Sequence, residues 1–270
     1  MKLDLNKEWF DNNLSQESEE IGSSNPKEIA PIPDSILSKM GKELYKTHTH
    51  PICQIKEKIY EALNGFEKIY EPKAIVPVED NFDRLLIPED HPSRSPKDTY
   101  YYSNYAVLRT HTSAHQCQYL EKGLKKFVIT GDVFRRDEID HCHYPVFHQM
   151  EGVCLCDNPL ENLHETVKHI VKTVFGENIE WKLVDSYFPF TDPSWELEIL
   201  WEGKWIEVAG MGLVHDQILK SCGVKEKGWA FGFGLERLAM ILFNIPDIRL
   251  FWTEDDRFLS QFENGPTKFV

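Results

Sequence analysis

The sequence predicts an α+β fold, in which one largely antiparallel sheet is flanked by helices. Strand-like segments at 179–188, 195–201 and 204–210 follow one another through short turns such as Glu202-Gly203, the connection typical of antiparallel strands. Helical segments stand between groups of strands without the strict strand–helix alternation of a parallel sheet. No internal repeat is visible in the 270 residues.

Two helices are predicted in the first half of the chain. One spans 51–64, where Pro51 suits a first helical turn and apolar residues recur at helical spacing. The other spans 111–126 and has Thr112 and Ser113 as candidate N-caps.

The second half continues with a predicted strand pair and two further helices. Strands at 127–134 and 145–156 are expected to pair around a polar hairpin loop. An amphipathic helix follows and is closed by Gly176. The last helix begins near Leu235 and ends at Asn244, just before a proline.

Composition divides the chain into a folded middle and two polar ends. We expect 1–47 to form a loosely ordered polar arm, 48–263 to form the folded domain and 264–270 to form a short tail. The arm is rich in acidic residues, unlike an organelle-targeting segment. No apolar run approaches the ~18 residues that a membrane helix needs, so we expect no membrane partner.

The chain is acidic, with a formal net charge of −14. A nucleic-acid-binding protein is expected to present a basic face, and the basic clusters here are small. Any contact with RNA would therefore use a local patch; the alternative is that these lysines are simply solvated. The clusters are Lys122, Lys125 and Lys126, then Lys220, Lys225 and Lys227.

Six cysteines show no disulfide framework, which favours a reducing compartment. A zinc site is the less favoured interpretation of the nearby histidines and cysteines, because no Cys-x-x-Cys pair anchors it. The alternative is a polar loop followed by a buried strand. The residues concerned are His141, His143, His148, Cys154 and Cys156.

The predicted strand around 147–153 places three chemically distinct groups on one face. Side chains alternate along a strand, so Phe147, Gln149 and Glu151 point the same way. They present an aromatic plate, an amide and a carboxylate in order. The alternative is a set of polar residues on a solvated face.

Two arginines stand at the ends of structural elements. Arg135 closes one strand and shares a face with Asp137, and its planar guanidinium suits a phosphate group. Arg237 lies one turn into the helix that follows Gly232 and Gly234, where the helix N-terminus adds partial positive charge. The alternatives are a surface ion-pair ladder for Arg135 and a chance Gly-x-Gly before Arg237.

Taken together, these segments resemble phenylalanyl-tRNA synthetase, a class II aminoacyl-tRNA synthetase, and most closely its single-chain organellar form. The hairpin around Arg135 and Glu151 resembles motif 2 of that class, and the segment ending in Arg237 resembles motif 3. The resemblance covers roughly 48–262. The matching segments are 109–116, 131–138, 144–151, 188–194, 207–212, 229–237 and 245–252.

The resemblance implies an α+β class II catalytic domain that activates phenylalanine with ATP and Mg²⁺ and transfers it to tRNA(Phe). Arg135 would contact the α-phosphate and Arg237 the γ-phosphate, with adenine between Phe147 and Arg237. Asp192 matches a metal-binding glutamate of bacterial relatives and is a weak candidate ligand. Other ATP-contacting candidates are Cys142, His143, Tyr144 and Glu207.

The resemblance also implies an amino-acid pocket beside the nucleotide. Polar groups would hold the ammonium and carboxylate of phenylalanine, and aromatic rings would surround its side chain; the alternative for each ring is plain core packing. The polar candidates are His111, Ser113, Ala114, His115, Gln116, Gln149 and Glu151. The aromatic candidates are Phe188, Phe190 and Phe231.

Several expectations stay open at this point. The organellar enzymes carry a C-terminal anticodon-binding domain, which the sequence does not show, so we expect a weakened grip on tRNA or a separate partner subunit. A homodimer through the helix at 51–64 is another possibility. The resemblance implies the mitochondrial matrix or another organelle, with the cytoplasm as the alternative. The functional alternatives are a stand-alone amino-acid-activating paralogue and a catalytically silent interaction protein.

Overall fold

Seven strands form one sheet in the computed structural model, which describes residues 29–70 and 73–263. Their order is β1-β4-β5-β9-β8-β7-β6, and every neighbouring pair is antiparallel except β1 with β4. A separate pair, β2 with β3, lies outside this sheet. The strands are β1 (Glu67–Tyr70), β2 (Ile75–Pro77), β3 (Ala106–Leu108), β4 (Lys126–Phe134), β5 (Val146–Leu155), β6 (Trp181–Phe188), β7 (Thr191–Trp201), β8 (Lys204–Val214) and β9 (Gly228–Gly234).

Helices cover both faces of the sheet. The α-helices are α1 (Asp34–Leu37), α2 (Pro51–Ala62), α3 (Val78–Asn81), α4 (Gln116–Glu121), α5 (Pro159–Phe175), α6 (Asp216–Ser221), α7 (Leu235–Phe243) and α8 (Asp256–Leu259). Short 3₁₀ turns occupy Leu44–Lys46, Asp83–Leu85, Pro92–Arg94, Thr112–His115, Ile248–Trp252 and Ser260–Phe262. The α+β prediction is confirmed.

The apolar core lies on both sides of the sheet. Helices α2, α5 and α7 bury their apolar stripes against one face, together with Val128, Met150 and Trp229. Helices α4 and α6 pack on the other face, near Phe127 and Val153. This alternation follows the two-residue period of the strands, and it leaves part of the second face open for a cavity.

The predicted helix over 111–126 is wrong in its extent and in its capping. The segment begins as the 3₁₀ turn Thr112–His115 and continues as α4 only to Glu121. Neither Thr112 nor Ser113 caps it, since the N-cap is His111 and no side chain caps the turn. The Ser113 hydroxyl instead donates to Glu151, so the site uses the group that capping would require.

The two predicted ends differ in what the structure describes. The part of the arm at 1–28 and the tail at 264–270 lie outside the described residues. The part at 29–47 contains α1 and a 3₁₀ turn, and Ile36 and Tyr45 are buried in the core. Within the described chain, no helix combines the length and apolarity that crossing a bilayer requires.

Candidate active site

A cavity of about 810 Å³ opens on the sheet face opposite α2 and α5, and residues of α7 border it. This volume is within the range of small-molecule sites. Most of the predicted site residues line it, although they come from distant parts of the chain. They are His111, Ser113, Gln116, Arg135, Cys142, His143, Tyr144, Phe147, Gln149, Glu151, Phe188, Phe190, Glu207, Phe231 and Arg237.

Strand β5 forms the floor of the cavity. Phe147, Gln149 and Glu151 all line it, as the alternation of side chains predicts. On the neighbouring strand β9, Gly234 lies opposite Gln149 and Gly232 lies opposite Glu151. Because these two positions carry no side chain, the floor stays open above β9.

Arg135 lies at one end of the cavity, just beyond β4. Its Nε donates to the main-chain oxygen of Thr110 at 3.0 Å, and its guanidinium carbon lies 5.1 Å from the centroid of the Phe147 ring. Burial lowers the pKa of Arg135, but an arginine remains protonated in such a site. Among the described residues no carboxylate lies within ion-pair distance of this guanidinium, so its charge is available to an anion.

Arg237 faces the same cavity from the first turn of α7. Its Nη1 donates to the main-chain oxygen of Glu207 at 3.2 Å and lies 3.8 Å from Glu207 Oε2. Both side chains are about half exposed, at 50% and 48%, so this contact restrains the guanidinium only weakly. Burial raises the pKa of Glu207 and Arg237 opposes that shift.

Glu151 is the buried acid of the site. The Ser113 hydroxyl donates to its Oε2, while its Oε1 has no hydrogen-bond partner among the described residues. Burial raises the pKa of Glu151 to about 8, with the Ser113 hydrogen bond acting in the opposite direction. A buried carboxylate with one unsatisfied oxygen is suited to receive a cationic ligand group.

Two amides, Gln149 and Gln116, and the His111 imidazole line the same cavity as Glu151. Gln149 Oε1 accepts from the main-chain N–H of Thr112 at 2.9 Å. The buried Gln116 Nε2 has no partner among the described atoms and so remains a free donor. Burial, reinforced by Arg135, lowers the pKa of His111 to about 3, which keeps its ring neutral at physiological pH.

Aromatic rings form the apolar end of the cavity. Phe188 and Phe190 stack with ring centroids 5.8 Å apart, and Phe190 also lies 6.3 Å from the His111 ring. A methyl group built on Gly210 would approach the Phe188 ring to 2.8 Å, so Phe188 rests directly on the β8 backbone. The rings can therefore contact a planar apolar group.

Phe231 borders the cavity, but its ring lies in the core. It stacks on Trp229 at 5.6 Å, meets Phe233 edge-on at 5.2 Å and covers Gly152. It belongs to the cluster that packs against α2, α5 and α7. The core-packing alternative therefore describes this ring.

The structure places three predicted residues outside the cavity lining. Ala114 belongs to the core beside α4 and α6. The His115 Nε2 lies 3.0 Å from Arg109 Nη1, away from the cavity. Asp192 is exposed and follows the buried Thr191 at the start of β7.

The hairpin between β4 and β5 is ordered by its own polar groups. The Asp140 carboxylate accepts from the main-chain N–H groups of Cys142 and His143, at 2.6 and 2.7 Å, and contacts the His143 ring at 2.9 Å. Tyr144 stacks on Trp252 at 6.1 Å. These contacts hold the loop beside the end of the cavity where Arg135 lies.

Sequence reasoning missed a buried polar group behind the site. His148 is fully buried between the carboxylates of Glu236 and Asp132, and Arg109 lies close by. His148 was considered only as part of the less favoured zinc site, and its place on the core face of β5 next to Phe147 is the signal that could have indicated a buried charge cluster. Its partner Glu236 is distant in sequence, so no local pattern connects them.

Carboxylates of the kind that Mg²⁺ prefers line the cavity, and one of them, Glu207, lies beside Arg237. Glu207 offers carboxylate oxygens there, and Asp98 and Asp137 line the same cavity. Magnesium prefers oxygen ligands and is commonly held by one or two carboxylates together with substrate phosphates. The residues present therefore fit this ion.

Comparison with known proteins identifies the family. The protein family described as "tRNA synthetases class II core domain (F)" matches this chain over residues 36–262. The chain belongs to the class II aminoacyl-tRNA synthetases, in their phenylalanyl branch. The family match confirms the predicted resemblance to phenylalanyl-tRNA synthetase.

Curated relatives agree with this assignment. The chain is 49% identical over 253 residues to "Phenylalanine--tRNA ligase, chloroplastic/mitochondrial" of Arabidopsis thaliana, covering 87% of this chain and 59% of that synthetase. It is 46% identical to the mitochondrial enzyme of Dictyostelium discoideum, covering 86% and 60%. A "Phenylalanine--tRNA ligase alpha subunit" of Prochlorococcus marinus (strain MIT 9312) is 40% identical, covering 79% and 64%. The chain thus spans about 60% of the length of the first two synthetases.

A solved structure shows the same fold. Pyrrolysyl-tRNA synthetase from Desulfitobacterium hafniense superposes with a TM-score of 0.62 at 19% identity, covering 83% of this chain and 79% of that one. At this level of identity the likeness concerns the fold of class II synthetases alone.

Proposed function

We propose that this chain activates phenylalanine with ATP to phenylalanyl-adenylate and transfers the phenylalanyl group to tRNA(Phe). One observation carries the proposal. A single cavity holds the unpaired guanidinium of Arg135, the half-exposed guanidinium of Arg237 and the unsatisfied buried atoms Glu151 Oε1 and Gln116 Nε2. These groups match a polyphosphate at one end and an amino acid's ammonium and carboxylate at the other.

The first step needs alignment of two anions more than proton transfer. The carboxylate of phenylalanine is ionised at neutral pH. One of its oxygens attacks the α-phosphorus of ATP, the bond to the bridging oxygen breaks, and pyrophosphate leaves. No base is required, so the residues contribute positioning and stabilisation of the negative charge that develops on the α-phosphate.

The nucleotide-binding end of the cavity has a proposed role in that step. Arg135 is proposed to bind the α-phosphate, and Arg237 is proposed to bind the γ-phosphate. Phe147 and Arg237 are proposed to hold adenine between them, beside Cys142, His143 and Tyr144 of the hairpin. Glu207 would help to hold Mg²⁺, which would supply positive charge to the phosphate groups. Asp192, exposed and outside the cavity lining, is the weakest of the proposed metal ligands.

The amino-acid end has a complementary role. Glu151 is proposed to accept from the ammonium group, and Gln116 to donate to the carboxylate, with His111, Ser113 and Gln149 holding these groups in place. The stacked rings of Phe188 and Phe190 are proposed to contact the phenyl group. Ala114 and His115 would then act only by shaping the turn that carries Ser113 and Gln116, and Phe231 by supporting the sheet.

The second step requires RNA. A hydroxyl of the terminal ribose of tRNA(Phe) would attack the carbonyl carbon of the adenylate and release AMP. The names of the Arabidopsis and Dictyostelium relatives support an organellar location, which we propose in preference to the cytoplasm. The Prochlorococcus relative is named as a subunit, which supports a partner subunit as one way of binding tRNA.

Isolation of the intermediate tests both steps. The chain is incubated with labelled phenylalanine, ATP and Mg²⁺, and the protein is separated from free ligand. We expect labelled phenylalanyl-adenylate to remain bound, and its label to move to added tRNA(Phe). Bound adenylate without transfer would contradict the tRNA step alone, and the absence of adenylate would contradict the whole proposal.

A further inference from the structure

A group of buried charges joins the two elements that carry Phe147 and Arg237. His148 follows Phe147 on β5, and Glu236 precedes Arg237 on α7. His148 Nδ1 lies 2.5 Å from Glu236 Oε1, and the main-chain N–H of His148 donates to Glu236 Oε2 at 2.8 Å. Glu236 thus holds both the backbone and the ring of His148.

The surroundings of His148 favour its protonated form. Its second ring nitrogen, Nε2, lies 3.5 Å from Asp132 Oδ1, so both nitrogens face carboxylates. Burial opposes a charge on the ring, but Glu236 and Asp132 outweigh it and raise the pKa of His148 above its ordinary 6.5. Asp132, His148 and Glu236 are all at most 4% exposed, so water screens these charges poorly.

Neighbouring elements complete the electrostatic environment. Arg109 donates through Nε to the main-chain oxygen of Asp132 at 2.6 Å and adds a second positive charge, which acts to lower the pKa of His148. Burial lowers the pKa of His50 to about 4, so that ring is neutral at physiological pH. Arg109 and His148 thus lie together with the carboxyl groups of Asp132 and Glu236 in one buried polar cluster.

Aromatic side chains fix the plane of the imidazole. Trp252 stacks on the His148 ring with centroids 5.5 Å apart and planes 20° apart, and Tyr45 meets it edge-on at 5.7 Å. A ring held from both sides can transmit a position from one element to another. The His148 ring thus has packing partners besides Glu236 where β5 meets the first turn of α7.

A role in stability alone explains this arrangement poorly. Burying ionic groups is costly, and apolar groups of similar volume are often equally stabilising. Glu236 and His148 are instead the chain neighbours of Arg237 and Phe147, which are proposed to hold adenine. Arg237 has only weak restraints of its own. A shift of about 1 Å in such a group can reduce a rate by on the order of a hundredfold.

We propose that Glu236 and His148 are positioning residues, whose contact sets the distance between Arg237 and Phe147 and thereby the affinity for ATP. This inference rests on the proposed function, because it assumes that the cavity binds ATP. Neither residue is proposed to touch the reacting atoms. The effect of Glu236 is expected on ATP more than on phenylalanine, because Glu236 adjoins Arg237 on α7, where none of the proposed phenylalanine-binding residues lies.

The test uses substitutions that keep shape and remove charge. Glu236→Gln retains an oxygen that can accept from the His148 N–H but loses the ionic partner. We expect the Kd for ATP, measured by calorimetry, and the KM for ATP in pyrophosphate exchange to rise by about tenfold or more, with the KM for phenylalanine within about twofold. Asp132→Asn and His148→Gln are tested in parallel and replace Glu236→Gln if it does not fold.

A matched control separates positioning from loss of stability. Val171 is buried in α5 and lies away from the cavity lining, so Val171→Ala should lower the melting temperature and leave the Kd for ATP unchanged. The pH profile gives a second readout. Since His148 loses its charge as pH rises through its raised pKa, ATP affinity should fall on the alkaline side in the unmodified chain, and this limb should disappear in His148→Gln.

The outcomes distinguish this inference from the proposed function. Folded variants with an unchanged Kd for ATP, or with equal changes in the KM of both substrates, would overturn the positioning role. An unmodified chain that binds ATP but exchanges no pyrophosphate would contradict the proposed function and leave the ATP affinities to decide the role of Glu236. An unmodified chain that does not bind ATP would overturn both.

Discussion

The guanidinium of Arg135 lies 5.1 Å from the centre of the Phe147 ring while its Nε is held by the main-chain oxygen of Thr110. The cation is thus fixed before any ligand arrives, and it faces the space above β5. A preset donor of this kind needs no reorganisation during a reaction, which is the main source of electrostatic catalysis.

Replacement of Arg135 tests this arrangement. Arg135→Ala should reduce phenylalanine-dependent pyrophosphate exchange by at least ~100-fold, because it removes the donor proposed to stabilise the α-phosphate. Arg135→Lys keeps the charge but loses the planar fork, so its rate of pyrophosphate exchange should lie between those of the unmodified chain and Arg135→Ala. A loss below about threefold in Arg135→Ala would exclude this residue from the mechanism.

The affinity for phenylalanine should depend on the ionisation of Glu151. The pKa of this carboxyl is raised to about 8, and its charged form is the one that pairs with an ammonium group. Below about pH 8 the proton must leave before the ligand binds, so the KM for phenylalanine should fall as pH rises toward that value. Steady-state kinetics across this range provide the measurement.

Glu151→Gln is the control for that pH dependence. Its KM for phenylalanine should be higher than that of the unmodified chain, and it should not change over the same pH range. A slope that persists in Glu151→Gln would assign the titration to another group.

Gly210 offers a test of the aromatic end. A methyl group at this position would lie 2.8 Å from the Phe188 ring, so Gly210→Ala should displace that ring from its stack with Phe190. We expect a rise of about tenfold or more in the KM for phenylalanine, consistent with the loss of apolar and ring contacts. The KM for ATP should stay within about twofold, and a rise confined to ATP would contradict the assignment of this end.

His50 should make the fold sensitive to acid. Its Nδ1 accepts from Ile52 N–H at the start of α2, and its Nε2 faces the main-chain oxygen of Phe251 at 3.0 Å, which requires the neutral ring. Burial lowers its pKa to about 4 from 6.5, so the unfolded chain binds the proton more readily. Stability should therefore fall as pH drops from about 6.5 toward about 4, by up to ~1.4 kcal/mol per pH unit.

Thermal melts of His50→Asn provide the comparison. Asparagine can also cap the helix but does not titrate, so the melting temperature of this variant should depend less on acid pH. An identical pH dependence in both chains would show that the pKa of His50 is the same in the folded and unfolded states.

The sequence was most informative where a simple period controls direction. Alternation along β5 predicted that Phe147, Gln149 and Glu151 face one space, and the cavity confirms it. The same rule explains the ring of Phe231, which lies on the core side because Gly232 faces the cavity. The segment 229–237, which resembles one motif, thus contributes some residues to the cavity and others to the core.

The turn at Thr112–His115 shows why Ala114 and His115 do not line the cavity. A 3₁₀ turn has three residues per turn, so Ser113 and Gln116 share a side and point to the cavity. Ala114 and His115 then face the core. Ala114 and His115 were candidates because of the resemblance, which marks a whole segment and does not show which of its side chains face a ligand.

Contacts between distant segments could not be found from local patterns. Glu236 and His148 are 88 residues apart, and only the packing of α7 beneath β5 brings them together. The parallel strand β1 was also missed, since its four residues are mostly exposed and carry no clear alternation.

The most direct test of the central claim is exchange of labelled pyrophosphate into ATP by the purified chain. It is measured with phenylalanine, with tyrosine and with no amino acid, since one cavity is proposed to hold both ATP and phenylalanine. We expect rapid exchange that requires phenylalanine and is lost in Arg135→Ala. Exchange that is absent with phenylalanine, or equal without any amino acid, would contradict that claim.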